Sequence, residues 1–251
     1  MAVEHEAVNK ATKTSLELPS FMDLLGDLHH EVFGISLHHW VPIIMSLIVA
    51  SILVAVTYYT TKDLKKIPQG MQAFLEVVIE GMQGFFGDIL GSGASVFLPF
   101  VGSLFIYIYL MNIMGFIPFF HAPTSSPNTT IALAVIVFFI THYVGITRNG
   151  VVGYLKHFVG EPIWMAPLLF PIHIIGELAR PLSLSMRLFG NIMGEDTAIA
   201  ILVGLGVSLY FIPIQFPILL LGLLTTLIQA VVFTVLSSVY IGGAVGHHDE
   251  H

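Results

Sequence analysis

The chain has 251 residues, of which 55% are apolar and 10% charged, with a formal net charge of −7 and no cysteine. This is a membrane composition, and no polar stretch is long enough to bury a core of its own, so no soluble domain is assigned. The nine Lys and Arg form no basic patch, which argues against a nucleic-acid partner, and without Cys there are neither disulfides nor thiolate metal sites.

Residues 1–40 read as an outside tail holding Glu4, Glu6, Glu17, Asp23, Asp27 and Glu31, without the early apolar run of a cleavable signal peptide. Residues 41–60 form a first span, since about 20 apolar residues of helix cross roughly 30 Å of hydrocarbon. Lys62, Lys65 and Lys66 follow it. In residues 69–90, Gln69, Gln72, Glu76, Glu80, Gln83 and Gly87 recur at steps of three and four among apolar neighbours. That pattern predicts an amphipathic helix, lying in the cytoplasmic interface or beside the bundle, with the interface preferred.

Residues 96–120 and 130–147 read as a hairpin of two spans around a loop at 121–130 that lacks Lys and Arg, followed by a cytoplasmic loop from Arg148 to Lys156. Two long helices over 163–205 and 214–241 follow, and a tail at 242–251 closes the chain. Continuous helix over 163–201 reaches roughly 58 Å, and over 214–241 roughly 42 Å, at about 1.5 Å per residue. Both exceed the hydrocarbon thickness, so inclination or a kink at Pro181 is expected, with Pro213 and Pro217 marking the turn between them. The Lys and Arg asymmetry places the N-terminus outside and the C-terminus in the cytoplasm. The spans lack strict apolar–polar alternation, which favours helices over a barrel. The predicted fold is an all-α integral membrane protein: an outer N-terminal span, an interfacial amphipathic helix, a helical hairpin and two long inclined helices.

Two arginines and several acids sit deep in the last apolar run, in the stretch from Gly176 to Asp196. A central Arg costs about 2.5–3.5 kcal/mol on insertion scales, so such a group needs a partner or a task. Gly176, Arg180, Ser183, Arg187, Gly190 or Asn191, Gly194 and Ala198 share one helical face. Arginines and Asn191 apart, that face is small, and Gly190 to Gly194 is a small-xxx-small pattern that admits another helix closely. Glu177 stands three residues before Arg180 and can pair with it locally. Arg187 has no such neighbour, because Glu195 and Asp196 lie eight and nine positions on, displaced around the helix. A smooth face with a permanent cation suits a neighbouring helix that carries a carboxylate.

The run Arg180-Pro-Leu-Ser-Leu-Ser-Met-Arg187-Leu-Phe-Gly-Asn191, followed by Glu195-Asp196, resembles the signature of subunit a of F-type ATP synthases, in its bacterial and chloroplast forms. The resemblance extends to Pro127-Asn128-Thr-Thr, to Ile228-Gln229-Ala-Val-Val-Phe and to the order of spans, covering nearly the whole chain. It implies that the two long helices face a ring of c subunits with lipid-buried carboxylates, and that Arg187 separates two half-channels that carry protons to and from them. It further implies that Asn191 lines the path or orients water, that Glu195 and Asp196 serve the outside half-channel, with Asp196 favoured by the ungapped match, and that Gln229 faces the arginine. A helix-interior Asn packed on a neighbour is the bland alternative for Asn191, and an interhelical hydrogen bond that for Gln229. Peripheral-stalk b subunits, the F1 head and the bilayer are the other implied partners, in a bacterial plasma membrane.

The sequence departs from some members at Gly222, where they place a titratable side chain. The outside acidic relay is then expected to rest on Glu195, Asp196 and a contribution from Glu177 or His173. Histidines at 29–30, 38–39 and 247–251 lack the spacing of a formed metal site, and His142 reads as a hydrogen-bonded core histidine. No metal or cofactor is expected, nor catalysis by the chain alone, since it has no phosphate loop. A secondary transporter with an intramembrane arginine site is the alternative, but it predicts an internal repeat, and none is seen. A membrane protease built on Gly91–Ser95 with His142 or His173, and a plain scaffold, fit less well.

Overall fold

The computed structural model describes residues 31–32, 35–62, 64–90, 94–117, 120–159, 165–208 and 215–245. Among these described residues six α-helices make the architecture: α1 Leu37–Thr61, α2 Met71–Leu90, α3 Ala94–Met114, α4 Pro127–Val159, α5 Ala166–Ser208 and α6 Gln215–Val245. A 3-10 turn, Pro123–Ser125, precedes α4. Two-residue strands β1 Glu31–Val32 and β2 Ile35–Ser36 pair antiparallel just before α1. Among the described residues, four helical segments are long and apolar enough to cross a membrane: Trp40–Thr61, Val96–Met114, Pro127–Arg148 and Leu219–Ala244. The chain is an all-α, multi-pass membrane protein.

α5 has the length to cross as well, with 43 residues giving about 64 Å of helix. Its Glu177, Arg180, Arg187, Glu195 and Asp196 make it the polar member of the set. It runs through Pro171 and Pro181 as one helix. The apolar interior is shared by all the spanning helices: Val41, Met45 and Val49 of α1 pack with Ile108 and Met111 of α3, Val137 of α4, Leu188 of α5 and Phe233 of α6. A second cluster joins Met82, Phe86 and Leu90 of α2 to Val101 of α3 and Ile241 of α6. α2 therefore packs beside the bundle through one face, while Phe74, Val77 and Phe85 stay exposed on another.

Element ends differ from the sequence expectation where glycine or proline intervenes. The apolar run 96–120 outlasts its helix, because α3 stops at Met114 and turns at Gly115 before Pro118. Residues ahead of a proline leave the α region, so the helix could not continue there. α4 begins three residues earlier than the predicted 130, with Pro127 in its first position. Proline suits that position, since its missing N–H would have had no helical partner. The segment after Arg148 is helical rather than loop: α4 bends at Gly150 (φ 69°, ψ 160°) and continues to Val159. Most of the N-terminal tail with His29 and His30, Gly91–Gly93 of the serine pentad, Pro213 and the C-terminal histidine cluster lie outside the described residues.

The inner side of α6 sets small polar residues between the large apolar Phe233 and Ile241. Thr234, Ser237 and Ser238 are buried. Each donates its hydroxyl to the carbonyl four residues back, to Ala230, Phe233 and Thr234, at 2.8 Å. Hydroxyls satisfied on their own helix need no external partner, and small side chains let helices approach closely.

Candidate functional site

α5 has two faces. Leu184, Ser185, Leu188 and Ile192 are buried against the rest of the chain. Gly176, Arg180, Ser183, Arg187, Gly190, Asn191, Gly194 and Ala198, the small face expected from spacing, are all exposed. A side chain added at Gly176, Gly190 or Gly194 would meet nothing within 4 Å. Arg187 projects from the middle of this open strip and makes no ion pair or side-chain hydrogen bond among the described residues.

Four residues along, Asn191 reaches the neighbouring helix. Its Nδ2 donates to Gln229 Oε1 of α6 at 2.6 Å. Gln229 is buried, and its Nε2 has no hydrogen-bond partner among the described residues. The two residues singled out separately in the sequence are thus one contact, formed beside Arg187 at the α5–α6 seam.

One further turn along α5 the chain holds a carboxylate. Thr225 Oγ1 of α6 donates to Glu195 Oε2 at 3.1 Å. The other oxygen, Oε1, is buried without a partner. A Cβ at Gly222 would overlap that oxygen and come within 3.0 Å of Phe116 Cε1. The side chain absent from α6 is therefore replaced in space by one from α5. Asp196 is half-buried, further around the helix, so Glu195 rather than Asp196 makes the contact with α6. Thr226 Oγ1, on the same side of α6, and Asn112 Nδ2 of α3 are also buried and unpaired. Asn112 accepts a hydrogen bond from Thr124 Oγ1 of the 3-10 turn at 2.7 Å. Thr225, Thr226 and Asn112 escaped the sequence reading; the signal available was a polar residue interrupting an apolar run.

Toward the start of α5 a second polar group forms. Arg180 Nη1 and Glu177 Oε1 pair at 2.7 Å, as the spacing predicted. The guanidinium also lies over the Tyr240 ring of α6, 5.2 Å from its centre. Glu177, Arg180 and Tyr240 line a small cavity together with Thr141 and His142 of α4. His142 Nδ1 hydrogen-bonds the Phe138 carbonyl at 2.9 Å, the satisfied histidine expected. His173 is half-buried one turn before Glu177. The arrangement is a fixed cation on an open strip, with a polar cluster toward each end of the helix that carries it.

A protein-family model described as ATP synthase A chain matches residues 43–242. Curated relatives named ATP synthase subunit a align over most of the chain. The one from Protochlamydia amoebophila is 41% identical over 238 residues, covering 90% of this chain and 88% of the relative. That from Desulfosudis oleivorans is 41% identical, covering 90% of this chain and 96% of the relative. That from Geobacter sulfurreducens is 41% identical, covering 92% and 96%.

Proposed function

This chain belongs to the ATP synthase A chain family, and on that premise we propose that it is the stationary proton-carrying subunit of a rotary ATP synthase, with Arg187 dividing two half-channels. The observation that carries this reading is Arg187 itself: a cation without an ion pair among the described residues, exposed on a strip of small residues. Its partner belongs to another polypeptide, a c-ring helix with a buried carboxylate. Membership of this family removes the secondary-transporter alternative.

Arginine keeps its proton at any working pH. A ring carboxylate drawn up to Arg187 therefore favours its ionised form and gives up its proton. Protonated carboxylates can turn into lipid, whereas ionised ones cannot, because removing their water is too costly. Arg187 thus releases the proton on one side and bars a direct leak to the other. The membrane potential supplies about 2.3 kcal/mol per charge per 100 mV to bias the direction.

The outer half-channel runs along α5 and α6 through Glu195, Thr225, Thr226, Gln229 and Asn191, with Asp196 beside it. The buried unpaired atoms at Glu195, Thr226, Gln229 and Asn112 support this, since buried polar groups without protein partners take water. Glu177 and His173, which the sequence suggested for the outer relay, belong instead to the inner half-channel with the cavity under Tyr240, because 18 residues of α5, about 27 Å, separate Glu177 from Glu195, with Arg187 between them. In this reading the N-terminus is outside, the C-terminus is cytoplasmic, and α2 rests in the inner interface. Its exposed Phe74, Val77 and Phe85 meet lipid while Glu80 and Gln83 meet water. The membrane is a bacterial plasma membrane. The peripheral-stalk b subunits hold the chain against the turning ring, and the F1 head couples to it indirectly.

Proton pumping and passive leak in inverted vesicles carrying Arg187→Ala test the mechanism. ATP-driven acidification is expected to vanish while the assembled complex persists. Coupled pumping retained in the variant would refute it.

A further inference from the structure

The cavity beside Glu177 is tight: it offers about 10 Å³ to the centre of a water molecule, enough for about one. A proton leaving Glu177 needs a continuous path to bulk water, so a working inner half-channel has a more open state than this one. The bent end of α4 lies next to the cavity, against His142 of its wall. At Gly150 the backbone takes φ 69° and ψ 160°, a conformation that side-chain-bearing residues avoid. The bend folds the following segment back, and the Tyr154 ring comes to rest on Gly145. A Cβ at Gly145 would approach Tyr154 Cε2 to 2.5 Å, so only glycine leaves this seat free. The ring also stands edge-on to His142, 5.8 Å between centres, and burial pushes its phenol above the ordinary tyrosine range, with Glu177 adding to the rise and Arg180 opposing it.

We propose that Tyr154, seated on Gly145 and hinged at Gly150, is a positioning residue that covers the mouth of the Glu177–Arg180 cavity and must swing aside to let water reach it. The proposal rests on the assignment of that cavity to the inner half-channel. Tyr154 transfers no proton here; it controls whether water reaches the carboxylate. Glycine at both positions follows from this: one supplies the seat, the other the turn.

The chain has no cysteine, so Thr141→Cys places one thiol of this subunit on the cavity wall. Thr141 is buried there. Labelling is followed with a small water-soluble methanethiosulfonate on the intact synthase in inverted vesicles, and the labelled subunit is resolved from the others on a gel. In the Thr141→Cys background labelling is slow. Adding Tyr154→Ala speeds it by about tenfold, as expected when a site open a tenth of the time is held open. Gly145→Ala, which evicts the ring, speeds it equally and supplies the reading if Tyr154→Ala fails to assemble. Tyr154→Phe keeps the ring and stays slow. Equal rates in all four backgrounds, or a Phe variant as fast as the Ala variant, overturn the proposal. Labelling reports water access and not coupling, so its outcome is separate from that of Arg187→Ala.

Discussion

Replacing Gly222 by alanine puts a methyl group where the Glu195 carboxylate sits. Phe116 blocks retreat on one side, at 3.0 Å from the new atom. The flexible end of Glu195 must therefore move, and in moving it loses the 3.1 Å bond from Thr225. The Thr225 hydroxyl also faces the Gly222 carbonyl at 2.9 Å, so the bond to Glu195 is an ordinary one, worth about 0.5–1.5 kcal/mol. At about 1.4 kcal/mol per decade, its loss lowers occupancy of the seat by roughly two- to tenfold. If Glu195 serves the outer half-channel, passive proton conduction through vesicles stripped of the soluble head falls by the same factor, with normal amounts of assembled complex. Moving the carboxylate to the other helix, with Glu195→Gly and Gly222→Glu together, restores a large part of it. Unchanged conduction in Gly222→Ala would show that the seat carries no traffic.

Gln229→Leu removes the acceptor of the Asn191 contact while keeping the volume, and an interhelical hydrogen bond in a membrane is worth about 0.6–1.7 kcal/mol. The expected result is an assembled complex with ATP-driven pumping reduced about threefold or more, read by fluorescence quenching in inverted vesicles; full pumping contradicts a role at the seam. Gly194→Leu adds a side chain where the chain itself has nothing within 4 Å, so the subunit inserts normally, yet close approach of a ring helix is blocked. Co-purification of the ring with this subunit should drop sharply, and undiminished recovery would place the ring on another face.

The helical spans, the open face of α5 and the Glu177–Arg180 pair were readable from the sequence because each follows from local periodicity. Steps of three and four around Arg187 are fixed by the helix whatever packs nearby. The Asn191–Gln229 bond joins residues 38 apart, and no local pattern announces it. The same holds for Glu195 and Gly222: the sequence displays a missing side chain and an extra carboxylate, and only packing shows that one occupies the place of the other. Helix ends were misjudged where apolar composition ran past a proline, as after Met114, or where charge suggested a loop, as after Arg148. Hydropathy reports what lipid tolerates; backbone stereochemistry decides where a helix stops.

The bare strip along α5 also bears on how the subunit lives before assembly. Alone in a bilayer it exposes a guanidinium at a cost of about 2.5–3.5 kcal/mol, beside glycines that leave peptide groups uncovered. An orphan copy is therefore the less stable one, open to membrane proteases and slow to persist. Capture by the ring removes that handicap, so cellular levels of the subunit should track those of its rotor.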